Sequence, residues 1–396
     1  MGEVRVLSVY EGFFSGGARI LHSDVVRGLH GSAQRHAVLS VQGEVHREAT
    51  RQRMEDDACY RSLTGAGIEV SALRRSASGS HDAFSASELA ATARATAAAD
   101  VVLSLKEQPL ALLNHAGLPY RPVVVCLHRS DPHNQGPALD ALLDGIAAGR
   151  VRACVCCAES TRDAYAAAGV PAELLHVVPN GVDLLRFRPD PAVRVRLRAA
   201  LGIAPGAPAV VFAARYAAMK DVPLFLRSAR QYLRRDPGAH VLLCGAGMTP
   251  ENRELAADVA AAFGGEPWLA DRLTLLGVRP DMEAVYAAAD VVSLTSSSGE
   301  AAPLCLIEGM MCGAVPVTTD VGDSASLVAG HGFVTAPDAE EIAAAWAEAA
   351  AGADRFRPAL ELSRERFSRT RMIAAYGSLI EQVHHGVAPA RLPETL

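Results

Sequence analysis

The sequence predicts two α/β domains, each built on a mainly parallel sheet. Short apolar runs alternate with longer helical patterns in the manner of βαβ units, and this alternation lapses once and then restarts. Length agrees: 396 residues at roughly 100–200 per domain suggest about two or three domains.

The first set of strand candidates is Val4–Tyr10, His36–Val41, Glu69–Leu73, Asp100–Leu105, Val123–Leu127 and Ala153–Cys157. Each is short, rich in apolar or β-branched residues, and bounded by turn or polar residues. Helical patterns lie between them at Ala18–Leu29, Ser85–Ala98 and Leu139–Ala148. The second set is Ala209–Ala213, His240–Cys244, Leu273–Leu276, Asp290–Leu294 and Val315–Thr318, with helices at Pro223–Arg234, Glu254–Phe263 and Met282–Ala289. Pro189–Pro208 carries four prolines and no strand pattern. The domain boundary is therefore placed at 187/188, giving domains 1–187 and 188–367. Ser76–Ser87 reads as an exposed Ser-rich loop, Arg366–His385 as one or two amphipathic helices, and the residues to Leu396 as a loose tail. The helix at about 368–386 is expected to pack back on the first domain.

Composition excludes several classes. Half the residues are hydrophobic and 21% are charged, so disorder is not the expected state. A net charge of −6 argues against a nucleic-acid binder held by phosphate charge. No run of 18 uncharged apolar residues is present, and Glu3 and Arg5 interrupt the N-terminal apolar stretch, so neither a membrane span nor a signal peptide is read. Peripheral membrane contact stays open, although Arg194, Arg196 and Arg198 read better as a solvated face than as a lipid-binding one. Eight cysteines do not make a disulfide scaffold, and the reducing cytoplasm is the expected compartment. A metal site at Cys154, Cys156 and Cys157 is rejected, because successive strand residues face opposite sides. Of 38 basic residues only Lys106 and Lys220 are lysines. In a chain that uses arginine so heavily, a surviving lysine marks a place where arginine will not do.

Open parallel sheets bind ligands at the carboxyl ends of their strands, and the chemistry-bearing residues follow strands. After the first strand, Gly12–Gly17 leads into a helix, where glycines admit a close backbone approach and the helix N-terminus attracts an anion. Arg215 and Lys220, five apart, follow the strand Ala209–Ala213. A guanidinium fork and a compact ammonium together suit a diphosphate. Glu300 and Glu308, eight apart, flank a helix start; carboxylates accept well from sugar hydroxyls, and Glu308 sits in an otherwise apolar stretch where an unpartnered charge would be costly. His128 ends the strand VVVCL, where an imidazole can hydrogen-bond a sugar or act as a base. Lys106, with Glu107 beside it, ends another strand; it is read as an acceptor contact to an anionic or polar group, or as a solvated ion pair.

Together these segments resemble the retaining family-4 glycosyltransferases of the GT-B fold. Val177–Pro189, VVPNGVDLLRFRP, looks like that family's inter-domain signature. The Glu300/Glu308 pattern with GMMCGAVPVTTDVGDS after it, the Arg215/Lys220 pair, VVVCLH ending in His128, and CAESTRDAY at Cys157–Tyr165 match further family segments. The resemblance spans nearly the whole chain. It implies two Rossmann-like domains facing across a deep cleft, the first binding acceptor and the second a nucleotide-sugar donor. It implies that Arg215 and Lys220 hold the donor diphosphate and stabilise the leaving group, that Glu308 holds the ribose hydroxyls, and that Glu300 contacts the donor sugar with the segment Ala302–Leu304 nearby, where Ala302 and Leu304 offer backbone N–H groups and Pro303 lies between them. His128 would touch the sugar near its 6-position, Gly16 and Gly17 would approach the diphosphate, and the base would lie against the Val278–Met282 loop, with Val278 and Arg279. Lys106, Arg129 and Asp131 are assigned to a small-molecule acceptor. No metal and no cofactor are expected. The implied reaction is front-face transfer with retained anomeric configuration, in secondary-metabolite, small-thiol or other glycoconjugate biosynthesis; UDP and GDP are not distinguished.

The chain departs from the family pattern at Glu300-Ala-Ala-Pro303, where relatives often have Glu-Gly-Phe-Gly, at Ala214 in place of a frequent glycine, and at Gly309 in place of a small alanine. The first two bear on which sugar is taken; Gly309 is expected to matter little. The competing readings are a sugar-nucleotide epimerase or pseudo-glycosyltransferase on the same fold, a non-catalytic sugar-binding module, and a nicotinamide oxidoreductase suggested by Gly245-x-Gly247, which lacks a third glycine.

Overall fold

A computed structural model describes residues 2–13, 16–47, 50–74 and 83–387. Phe14 and Ser15 of the glycine run, residue 75 with residues 76–82 of the Ser-rich stretch, and the tail beyond 387 lie outside the described residues. The chain forms two compact units, Met1–Gly181 with Arg369–Leu396, and Val182–Ser368.

The first unit is built from β1 (Val4–Tyr10), β2 (Gln34–Gln42), a hairpin of β3 (Glu44–Arg47) and β4 (Thr50–Arg53), β5 (Glu69–Arg74), β6 (Val101–Leu105), β7 (Val123–Leu127), β8 (Val151–Cys156) and β9 (Leu175–Val177). Seven strands make one parallel sheet in the order β5-β2-β1-β6-β7-β8-β9. Central strands β6 and β7 are buried at every position, as the continuous apolar runs of a sheet covered on both faces require. Cys154 and Cys156 sit in this apolar core. The hairpin has no apolar alternation and left no signal in the sequence. It is held by the Glu44–Arg51 ion pair across its strands and packs on the start of the glycine run, where a Cβ on Gly12 would overlap Val45. The helix Arg369–His384 belongs to this unit: Gln34 donates to the Gly377 carbonyl at 3.2 Å, and Gly377 and Gly28 leave room for Leu29 and Ile373 between this helix and Gly17–Leu29.

Two histidines are buried in this unit, His22 bonding from the helix Gly17–Leu29 to β1 and His36 bonding a neighbour within β2. His22 lies 3.0 Å from the Ser8 hydroxyl, and His36 lies 3.1 Å from Gln34. Burial pushes both imidazoles down to about 3, whereas an unfolded histidine titrates near 6.5. Folding of this unit is therefore favoured above pH 6.5, and that part of its stability is lost as pH falls toward 3. Between pH 7 and 5 the loss is on the order of 2 kcal/mol per histidine. Thermal unfolding should show a clear drop in melting temperature from pH 7.5 to 5 that shrinks in His36→Gln; a flat profile would contradict the assignment.

The second unit contains β10 (Ala209–Ala213), β11 (His240–Cys244), β12 (Leu273–Gly277), β13 (Val291–Leu294), β14 (Val315–Thr319) and β15 (Phe333–Thr335). They form a second parallel sheet, β12-β11-β10-β13-β14-β15. Its core includes Phe212, Phe225, Tyr232 and Trp346, with the Trp346 indole N–H donating to Ser293 Oγ at 2.9 Å.

Two expectations are corrected here. The boundary falls at 181/182, because Val182 and Phe187 are buried in the second unit's core and Val182 bonds to Phe367. Within the proline-rich stretch, Pro191–Ala200 is a helix, capped by Asp190 with proline at its first position. Its arginines are not all a solvated face. Arg198 is buried, and Arg194 and Arg198 donate to the carbonyls of Ala287, Ala288 and Ala289 and to Asp290. These are the free carbonyls at the C-terminus of the helix Met282–Ala288, where cations are favoured. Arg196 is exposed. No helix among the described residues is long and apolar enough to cross a membrane.

Candidate active site

In the second unit the predicted residues follow the carboxyl ends of β10, β12 and β13. β10 ends at Ala213, and Arg215 follows, half-buried, with Nη2 at 4.0 Å from Met219 Sδ. The chain then makes a single 3₁₀ turn, Ala218–Lys220, and Asp221 adopts a left-handed conformation, φ 43°. The Asp221 side chain caps the helix Val222–Arg235 by accepting from Leu224 N at 3.0 Å. Beside it, Thr295 at the end of β13 donates to the Lys220 carbonyl at 3.1 Å. This turn fixes the Lys220 backbone, and the Lys220 ammonium pairs with Glu300 Oε1. The same oxygen accepts from Ser296 Oγ at 2.5 Å. Glu300 is only 7% exposed, so its charge is held by an ammonium and a hydroxyl together.

Ala302 and Pro303 lead into the helix Leu304–Met311, with Pro303 at its N-cap position. Glu308 lies on this helix and accepts a hydrogen bond from the Tyr286 hydroxyl at 3.0 Å. Desolvation pushes its carboxyl up to about 7, against the opposing effects of Tyr286 and Arg186. Gly309 is not neutral: a Cβ there would lie 2.7 Å from Val292 Cβ, so glycine lets the helix close on β13. Val278 is 70% exposed, and Arg279 forms a two-pronged pair with Asp281 at 2.8 and 2.6 Å. An open apolar surface beside this fixed fork suits an aromatic base.

In the first unit the remaining predicted residues stand at the carboxyl ends of β1, β6 and β7. Gly16 caps the helix Gly17–Leu29 in extended conformation and is exposed. Lys106 adopts φ 67°, a left-handed backbone that a lysine takes at a cost. It is fixed by its N–H to Cys126 O at 3.0 Å and by Ser104 Oγ donating to its carbonyl at 2.7 Å. His128 is half-buried, its Nε2 has no hydrogen-bond partner, and desolvation with the Lys106 charge lowers its pKa to about 3, so the imidazole is neutral. Arg129 and Asp131 pair with each other at 3.0 Å.

Sequence reasoning missed Tyr286, Ser296 and Gly322 in the second unit and His22 in the first, and the alternative reading of Lys106 and Glu107 as a solvated ion pair is corrected, because Glu107 is buried. Gly322, φ 62°, sits where a Cβ would overlap the Glu300 carbonyl. Glu107 is 2% exposed, its Oε1 has no partner, and burial raises its carboxyl to about 7. None of the missed residues belongs to a local pattern; a tyrosine in an alanine-rich helix reads as core. Among the described residues no group of three or more His, Cys, Asp or Glu is placed to hold a metal ion.

Comparison with known proteins gives the family and the fold. Residues 15–186 match the Glycosyltransferase Family 4 profile, and residues 207–351 match that of Glycosyl transferases group 1. This chain belongs to the family-4, group 1 glycosyltransferases. A D-inositol 3-phosphate glycosyltransferase of Nocardia farcinica is 35% identical over 177 residues, 43% of this chain and 38% of the relative. An alpha-maltose-1-phosphate synthase of Mycobacterium tuberculosis is 32% identical over 161 residues, 39% of this chain and 40% of the relative. The chain thus matches about two fifths of the length of these curated relatives. In fold, the crystal structure of Anabaena HepE in complex with UDP superposes with a TM-score of 0.78 at 21% identity, covering 96% of this chain and all of the other. The two parallel-sheet α/β units are those of the GT-B fold.

Proposed function

We propose that this family member transfers a sugar from a nucleoside-diphosphate sugar to a small polar acceptor, with retention of anomeric configuration and without a metal ion. The observation that carries the reading is the pair of half-buried Lys220 and buried Glu300 at the carboxyl edge of the second sheet, close in sequence to Arg215. Lys220 and Arg215 supply positive charge for the diphosphate and for the phosphate that leaves, with no divalent cation in the role. Glu300 accepts from the sugar hydroxyls, Glu308 from the ribose, and the base lies on Val278 beside Arg279.

In the first unit His128 offers a neutral imidazole to the sugar, and Gly16 and Gly17 offer backbone to the diphosphate. Lys106, Arg129 and Asp131 take the acceptor. The names of the two relatives make a phosphate-bearing small molecule the acceptor class to test first, and Lys106 and Arg129 are suited to it. The acceptor hydroxyl attacks the anomeric carbon on the face from which the phosphate departs, and its proton passes to that phosphate oxygen. The protein positions and stabilises, and supplies no nucleophile.

A nicotinamide oxidoreductase is disfavoured. Gly245 and Gly247, at φ 138° and 79°, are used within the chain: a Cβ on Gly245 would overlap the Ala214 carbonyl, and one on Gly247 would crowd Tyr216.

Calorimetry and thermal shift with UDP, GDP, dTDP and NAD, in the presence of a chelator, test the reading on the wild type and Glu308→Ala. UDP is the first nucleotide to try, since HepE was crystallised with it. One nucleoside diphosphate should bind the wild type, and Glu308→Ala should weaken it at least tenfold. Binding of NAD alone, or of none of the four, would overturn the reading.

A further inference from the structure

We propose that Tyr286 is a positioning residue for the nucleotide: its hydroxyl holds one oxygen of Glu308 and so fixes the carboxylate for a ribose diol. This rests on the donor reading above and names a residue that reading does not use. The Tyr286 hydroxyl donates to Glu308 Oε2 at 3.0 Å. Tyr286 is 1% exposed, on the helix Met282–Ala288, and its ring centroid lies 6.3 Å from that of Phe187. Glu308 is half-buried on the helix Leu304–Met311. One element therefore anchors the carboxylate of another, leaving Oε1 for a ligand. A carboxylate that swings between rotamers must be ordered when a ribose binds, and that ordering costs affinity. One already tethered does not pay it.

The other titratable or charged groups facing Glu308 are Arg186, Glu283, Cys305 and Cys312. Of these only Arg186 favours the ionised carboxylate. Burial keeps the Tyr286 hydroxyl protonated far above its usual range, so it donates at every physiological pH. Removing it takes away the largest influence that opposes desolvation of Glu308, which moves the carboxyl further up.

The test is calorimetric titration of the full chain with UDP and 2′-deoxy-UDP, or with GDP and 2′-deoxy-GDP if GDP is the tighter nucleotide. Wild type, Tyr286→Phe, Glu308→Gln and the double variant are compared between pH 5.5 and 8.5. Tyr286→Phe should weaken the ribonucleotide about tenfold, the scale of a lost hydrogen bond to a charged group. The preference for ribonucleotide over deoxynucleotide should fall, and the acid limb of binding should move to higher pH. In the Glu308→Gln background the Tyr286→Phe effect should drop below about twofold, as expected for residues acting through one another. Tyr286→His, which restores a ring donor, should recover part of the loss, and it stands in if the Phe variant does not fold. An unchanged affinity, or a loss that is equal for ribo- and deoxynucleotide and persists in Glu308→Gln, would overturn the proposal. Failure of both UDP and GDP to bind the wild type would instead overturn the donor reading beneath it.

Discussion

Lys220→Ala lowers kcat/KM by about 10²–10³, or roughly 3–4 kcal/mol of transition-state stabilisation. Two losses combine in this one substitution. The ammonium that would meet the departing diphosphate is gone, and Glu300, 7% exposed, is left with the Ser296 hydroxyl but without its cation. A buried carboxylate deprived of its cation is costly, so part of the effect falls on Glu300 and on the donor sugar it contacts. Lys220→Arg should not restore the rate. The guanidinium is planar and larger, and the Ala218–Lys220 turn with left-handed Asp221 fixes where the side chain starts. Initial rates of nucleoside-diphosphate release, with and without a phosphate-bearing acceptor, read this directly. A loss smaller than tenfold for Lys220→Ala would remove Lys220 from the machinery.

Gly322→Ala should destabilise the second unit by about 2–4 kcal/mol and depress activity with it. At φ 62° an alanine is strained, and its Cβ would overlap the Glu300 carbonyl and lie 2.9 Å from Ala301 O. The clash is relieved by displacing the 300–302 turn, which carries Glu300 away from Lys220. Gly330→Ala is the matched control. Its φ is 76°, but nothing lies within 4 Å of the added Cβ, so it carries the backbone strain without the overlap. Denaturant unfolding of both variants separates the two contributions; equal losses would show that the contact with the Glu300 turn has no weight.

These two residues mark the limits of local reading. Lys220 was legible because the spacing from Arg215, the strand before it and the scarcity of lysine all point to it. Gly322 was not, because nothing within its neighbouring residues says that the Glu300 carbonyl stands against it. The same division holds for Tyr286, whose alanine-rich helix gives no sign that its hydroxyl meets a carboxylate 22 residues on.

By itself the sequence determined the two parallel-sheet units and most strand positions, and it singled out the strand-end residues proposed for ligand chemistry. Apolar runs and strand-end motifs are properties of adjacent residues, and hydrophobic burial reads them locally. Tertiary structure alone decided the boundary at 181/182, where Val182 and Phe187 join the second core. It decided the use of Arg194 and Arg198 to close the end of the helix Met282–Ala288. It also joined Lys220 to Glu300 and Tyr286 to Glu308. Each of these is a contact between segments distant in the chain. Its energy comes from desolvation and pairing, which exist only once the sheet has brought the partners together.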